Sequence, residues 1–158
     1  MLPALTICPL RDRPEVIAPL AAAFRVEWPD WYGPGGPGDA AADLAAYANP
    51  EGALPSGIVA LDTSGEPLGA AALKPAWIPE FANLTPWASA GWVRRELRRH
   101  GLGALLVRAL EAEARRLGHA HVYCATATAI TLLEREGWTD HAQTVHDGHD
   151  IWIFQRAL

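Results

Sequence analysis

Cysteine and lysine are almost missing from this chain of 158 residues. The two cysteines, Cys8 and Cys124, lie far apart in apolar, strand-like runs. That spacing carries neither a metal site nor a disulfide framework, so both read as buried thiols. Lysine occurs once, at Lys74, against twelve arginines. With the many alanines, this skew suggests a GC-rich bacterial genome. A net charge of −5 argues against nucleic acid as a partner. No apolar window approaches a membrane span. Residues 1–10 lack the basic start and long apolar stretch of a signal peptide, so the expected location is cytoplasmic and reducing. Repeats and low-complexity tails are absent. His119, His121, His141, His146 and His149 have no Cys or Glu at ligand spacing, so no metal is expected.

What remains is enough for a core. Half of the residues are apolar, and the length suits one domain over 1–158. A strand is expected at 5–9 and a helix at 13–26, with Pro14 near its start. The Gly/Pro run 33–38 is a loop, and its aromatic flank Trp28, Trp31 and Tyr32 is unusual for one. An alanine-rich helix follows at 39–48. Strands are expected at 57–61 and 68–73, then an irregular stretch at 75–84 and a strand at 87–93. A helix from 102 to 117 carries the apolar stripe Leu102, Leu105, Leu106, Leu110, with Glu111 and Arg115 as an outer i,i+4 pair. A strand at 120–125 and a short helix at 128–135 precede two strands flanking Asp147-Gly148, a two-residue hairpin turn.

The segment Arg98-Arg99-His100-Gly101-Leu102-Gly103-Ala104 carries the chemistry. Strand, cationic glycine loop and helix in that order make an anion site. The first turn of a helix leaves its amides without acceptors and is partly positive, and glycines let a phosphate reach the backbone. A pyrophosphate would be held by amides first and arginine second. The ending Gly-Lys-Ser/Thr of a nucleotide-binding loop is missing.

The spacing Arg98-x-x-Gly101-x-Gly103 resembles the acyl-CoA pyrophosphate loop of the GNAT superfamily, the Gcn5-related N-acetyltransferases. The run Ala129-Ile130-Thr131-Leu132-Leu133-Glu134-Arg135-Glu136-Gly137-Trp138 is similar to that family's late helix, and Thr85-Pro86-Trp87 to the start of its fourth strand in one bacterial branch. The resemblance covers roughly 57–158 well and the first fifty residues loosely. It implies an α/β (α+β) fold with a mixed, mostly antiparallel central sheet of about six to seven strands and helices on both faces. It implies acetyl-CoA as cofactor and direct acetyl transfer to a primary amine of a small molecule or peptide. The alternative is a non-catalytic acyl-CoA sensor on the same fold. Dimers are common in the family, which leaves a homodimer open.

By position, the resemblance assigns the pyrophosphate to Arg98, Arg99, His100, Gly101, Leu102, Gly103 and Ala104. It assigns the pantetheine arm and thioester carbonyl to the backbone of Trp92 and Val93, with Gly91 suited to a strand bulge. Thr126 stands where an asparagine is often found. The usual acid, a tyrosine, falls at Leu133, which has no proton to donate. Tyr123, Ser89, Glu27, Asp30 and His149 are the substitutes. Glu27 ranks first as base, because it adjoins the aromatic loop, and Tyr123 ranks first as the polar group near the thiol. Trp28, Trp31 and Tyr32 either wall an acceptor pocket with Ser89 or form a small core capping the sheet. Trp87 either joins that pocket or stays in the core. The acceptor is open among small amines, aminoglycosides, amino acids and peptide N-termini.

Overall fold

Proline decides where the first helix begins. In the computed structural model, which describes residues 1–158, two 3-10 turns at Leu10–Asp12 and Pro14–Val16 precede α1, Ile17–Glu27. Pro19 lacks an N–H and would clash with a carbonyl four residues back. Starting the helix at Ile17 puts Pro19 in the first turn, where an amide has no helical acceptor anyway. The expected aromatic loop contains one further helical turn, α2, Pro29–Tyr32. Asp39 then caps α3, Ala40–Tyr47, by accepting from the Ala42 amide at 3.0 Å.

The strands are β1 Leu5–Pro9, β2 Ser56–Asp62, β3 Pro67–Lys74, β4 Trp87–Val93, β5 His121–Thr126, β6 Thr139–His146 and β7 His149–Ala157. They form one sheet in the order β1-β2-β3-β4-β5-β7-β6. Only β4 and β5 run parallel; the other neighbours are antiparallel. The β6–β7 turn uses Asp147 and Gly148 at φ 51° and 76°, the positive pair that a tight two-residue hairpin needs.

The sheet is covered on both sides, which is why β2 and β3 read as nearly unbroken apolar runs. Helices α4, Leu102–Arg116, and α5, Ile130–Arg135, lie over Ile58, Ala60, Leu68, Leu73 and Ala88. Helices α1 and α3 lie over Val59, Leu61, Ala70 and Ala72 on the other face. The stripe Leu102, Leu106 and Leu110 of α4 is fully buried, worth about 1.5–3 kcal/mol per side chain.

Two carboxylates of α4 are also buried. Glu111 does not face solvent beside Arg115 as its spacing suggests. Its Oε1 accepts from Arg156 Nε of β7 at 3.0 Å, because that side of the helix turns toward the sheet. Glu113 accepts from Arg116, from Arg11 at 3.4 Å, and from the Ser56 hydroxyl of β2. Burial pulls its carboxyl upward, but the Arg116 and Ser56 hydrogen bonds and the Arg11 charge outweigh that and hold it below its usual range. A lowered native value means stability present at neutral pH and lost as pH falls through it. Glu113→Ala is therefore expected to cost about 1–3 kcal/mol at pH 7, the range for stranding buried polar partners. Urea melts at pH 7 and again in mild acid check it: the gap to wild type narrows on acidification.

Candidate functional site

Strands β4 and β5 pair at two positions only, Trp87 with Tyr123 and Ala88 with Cys124. Beyond Ala88 they part. On its other edge β4 stays bonded to β3, but the register slips: Ala72 faces Ser89 and Ala70 faces Trp92, so three steps along β4 match two along β3. The extra residue is accommodated at Ala90 and Gly91. Sequence reasoning placed the bulge at Gly91, yet the left-handed residue is Ala90, at φ 55°. That conformation is uncommon for a side chain-bearing residue. Arg94 N–H bonds Leu68 O across the β3 edge at 2.8 Å. Alternation along an extended chain therefore turns the Val93 amide toward the gap and the Trp92 amide toward β3. The two residues do not present their backbones alike.

A cavity of about 820 Å³ fills the split and passes through the sheet. Leu106, Leu110, Leu132 and Leu133 line its α4/α5 end. At the rim beside that end lies the loop before α4. A 3-10 turn, Arg95–Leu97, interrupts the strand-to-helix connection that the sequence predicts. Gly101, at φ 91°, then starts α4 without any side-chain cap. The amides of Arg99 through Ala104 bond no backbone acceptor. A Cβ on Gly103 would approach Leu132 to 3.3 Å. Arg99 is exposed and enters no ion pair. His100 Nδ1 lies 3.2 Å from the Met1 amine.

The opposite end is lined by Trp28, Trp31, Tyr32, Asp43, Lys74 and Trp77. Trp28 stacks edge-on against Phe24, with centroids 4.9 Å apart, and Tyr32 sits 6.3 Å from Trp28. The rings of Trp28 and Tyr32 pack against the α1 core and also line the cavity, whereas Trp31, 53% exposed, lines the cavity without joining that core. The Gly/Pro loop closes on Trp31 so tightly that a Cβ on Gly38 would fall 2.4 Å from its indole nitrogen. Tyr32 donates to Asp43 Oδ2 at 2.6 Å. Burial and that carboxylate push the phenol above its usual value, keeping it a neutral donor.

The acetyltransferase (GNAT) family model matches residues 20–138 of the sequence. The chain belongs to the GNAT acetyltransferase family. No curated protein matches it. Among solved structures it is similar to an aminoglycoside 6'-N-acetyltransferase complexed with coenzyme A, at 17% identity over 96% of both chains and a TM-score of 0.77. It is also similar to yncA from Salmonella typhimurium with its cofactor acetyl-CoA, at 21% identity over 98% of this chain and 94% of that one, TM-score 0.75. A GCN5-related N-acetyltransferase from Kribbella flavida aligns at 19% identity over 98% of both chains, TM-score 0.76. These likenesses show the fold. The mixed seven-stranded sheet with helices on both faces is the GNAT architecture.

Acetyl-CoA is the cofactor of GNAT enzymes, and the residues present fit it. The uncapped amides of α4 and the free Arg99 suit a diphosphate. The parted edges of β4 and β5 suit an extended arm that bonds as a strand does. Several residues singled out in the sequence stand elsewhere. Arg98 is not free: its Nη2 donates to Glu27 Oε2 at 2.7 Å and its Nε to Val93 O at 2.9 Å, bracing the loop against α1. Glu27 is therefore tied up by Arg98 and does not line the cavity. Tyr123 points to the sheet face away from α4, between Trp87 at 5.8 Å and His141 at 6.0 Å. Trp87 is wholly buried there, with its indole donating to Leu84 O at 2.8 Å, so it belongs to the core. Thr126 lines the cavity, but its hydroxyl oxygen accepts the Thr128 and Ala129 amides at 3.1 and 2.8 Å, in the turn before α5. Asp30 and His149 are exposed and do not line the cavity. Ser89 does line it, and its buried Oγ has no partner. Leu133, in the usual tyrosine's place, lines it as well. Cys8 and Cys124 are free and only partly buried.

Sequence reasoning missed Lys74, Asp43 and Trp77. One signal was there to read: Lys74 is the single lysine among twelve arginines. No helix is long and apolar enough to cross a membrane.

Proposed function

We propose that this protein moves an acetyl group from acetyl-CoA directly to a primary amine, with both bound at once in the through-sheet cavity. One observation carries the proposal: β4 and β5 part after two pairs, and the gap opens beside an uncapped helix N-terminus. Bound there, acetyl-CoA supplies a thioester carbonyl that an amine can attack. The α4 amides hold the diphosphate, and the bulge at Ala90 and Gly91 aims backbone at the carbonyl oxygen, where charge builds up. The amine nitrogen bonds the carbonyl carbon, the carbon–sulfur bond breaks, and the amine's surplus proton leaves with the thiolate or to water. Ser89 Oγ, buried and unpartnered, is the hydroxyl at this point of the gap that can donate to the sulfur. With Glu27 and Tyr123 placed elsewhere, solvent takes the remaining protonation. A free thiol's ordinary value of about 8.5 makes that adequate. The reducing, cytoplasmic setting suggested by two free cysteines agrees with this chemistry.

Direct transfer also accords with Cys124. Burial pushes its thiol up to about 12, so it is protonated at neutral pH and a poor nucleophile. Cys124→Ala is expected to keep kcat within about threefold of wild type, whereas a route through an acetylated cysteine would be lost altogether.

The experiment is release of coenzyme A thiol from acetyl-CoA across a panel of primary amines, run beside a thermal shift with acetyl-CoA. Thiol release that depends on one amine class supports the proposal. Leu133 favours a second reading, an acyl-CoA sensor without turnover, because it puts an apolar wall where the family carries an acid. Stabilisation by acetyl-CoA with no thiol release from any amine is its signature.

A further inference from the structure

Lys74 ends β3 and reaches into the aromatic end of the cavity. Its ammonium lies 5.1 Å from the Trp77 ring centre and 5.8 Å from that of Tyr47. It makes no ion pair with Asp43, the nearby carboxylate on the same wall, and donates no hydrogen bond. Other titratable groups along the cavity are Tyr32, Cys124 and, at the β6–β7 turn, His146 and Asp147, the last two with side chains 3.5 Å apart. Lys74 is thus the one permanent cation in a mostly apolar chamber, and all three of its N–H donors are unspent. Burial pulls the ammonium below its usual value, and Asp43 offsets part of that. A half-buried, unpaired ammonium is costly unless a ligand supplies its counter-charge. Asp43 is committed differently, because Tyr32 donates to it. The wall therefore offers one anchor for an anion and another for a cation, and the two are not joined as an ion pair.

We propose that the acceptor is a free amino acid with an apolar or aromatic side chain, its carboxylate held by Lys74. The inference rests on the acetyltransferase reading and names the substrate class of that same site. The carboxylate fills the Lys74 donors. The amine, drawn in as a cation by Asp43, loses a proton before it attacks the thioester, and the side chain packs among Trp28, Trp31 and Trp77. The same cation disfavours polycationic acceptors such as the aminoglycosides named for one structural relative, because a bound polyamine would meet a like charge in a half-buried wall.

The test uses the intact protein saturated with coenzyme A and reads ligand binding by tryptophan fluorescence, with Trp77 beside Lys74 as reporter. The probes are L-phenylalanine, L-tryptophan, L-leucine and L-methionine, each beside its carboxamide; fluorescence is replaced by calorimetry for tryptophan. At least one acid is expected to bind about tenfold or more tighter than its amide, the worth of a hydrogen-bonded charge pair. Lys74→Met should bring the acid and amide together, and Lys74→Arg should restore part of the gap. Carboxamides that bind as well as acids overturn the proposal. So does a panel in which no acid binds, or an acid preference that survives Lys74→Met. The rise in Tm with acetyl-CoA is read on the same protein preparations before coenzyme A is added. If it persists while the acid preference fails, the substrate class falls and the acetyltransferase reading stands; if it is absent from wild type, the acetyltransferase reading falls first.

Discussion

A Gly101→Val, Gly103→Val protein is expected to melt at the same temperature with and without acetyl-CoA. At a hundred times its Kd, the ligand should stabilise wild type by about 2.7 kcal/mol, a Tm rise of roughly 5–10 °C for a chain of this size. The double variant should show less than about 1 °C. Gly101 holds φ at 91°, a conformation that a β-branched residue tolerates poorly. Relieving it must rotate the backbone from which α4 starts. At Gly103 a side chain meets Leu132 and covers the first turn. The amides from Arg99 to Ala104, which have no backbone acceptor, keep their present arrangement only while both glycines stay. Valine at φ 91° also destabilises the apo protein, so a control is needed. Gly118, at φ 86° past the other end of α4, supplies it: Gly118→Val carries similar strain far from the loop and should keep the full acetyl-CoA rise. If the double variant still rises with acetyl-CoA, the diphosphate is held elsewhere and the proposed function loses its footing.

The second large effect is expected at the bulge. Ala90 sits at φ 55°, which costs alanine of order 1 kcal/mol and valine more. Ala90→Val should flatten the bulge toward regular pairing and swing its amides away from the gap. Losing one donor to a developing oxyanion commonly lowers kcat about 100-fold to 1,000-fold. The glycine loop before α4 is untouched, so KM for acetyl-CoA should move less than about fivefold. Ala90→Gly, which accepts the same φ freely, should keep at least half of the wild-type kcat. A valine variant with near-normal turnover would show that this backbone does not polarise the thioester.

Element positions were largely legible because their signals are short-range. The 87–93 strand, the Asp147-Gly148 turn and the glycine loop before α4 all lie where residue spacing puts them. The start of α1 differs from the expected 13 because Pro19 overrides the apolar spacing around it and fits only in the first turn of a helix that begins at Ile17. Roles were harder to read. Glu27 and Arg98 are 71 positions apart in sequence, and only the fold brings them within 2.7 Å. Tyr123 and Cys124 are neighbours, yet only Cys124 lines the cavity: their side chains lie on opposite faces of β5, and on the Tyr123 face the cavity is reached only at Ala125, past the pairing of Tyr123 with Trp87. Lys74 stood out by composition, but its solitude in the cavity depends on α2, α3 and the 75–86 segment folding over it.

By itself, the sequence determined the family, the order of strands and helices, and the glycine loop from which α4 starts. Those properties rest on backbone conformation and hydrophobic period, which neighbouring residues set among themselves. The tertiary structure decided which charges remain unpaired. Arg98 is neutralised by a glutamate from α1, Tyr123 is turned into the core, and Lys74 and Asp43 are left facing a common cavity. Pairing of charges is a matter of distance in space, and distance between remote segments exists only after the chain has packed.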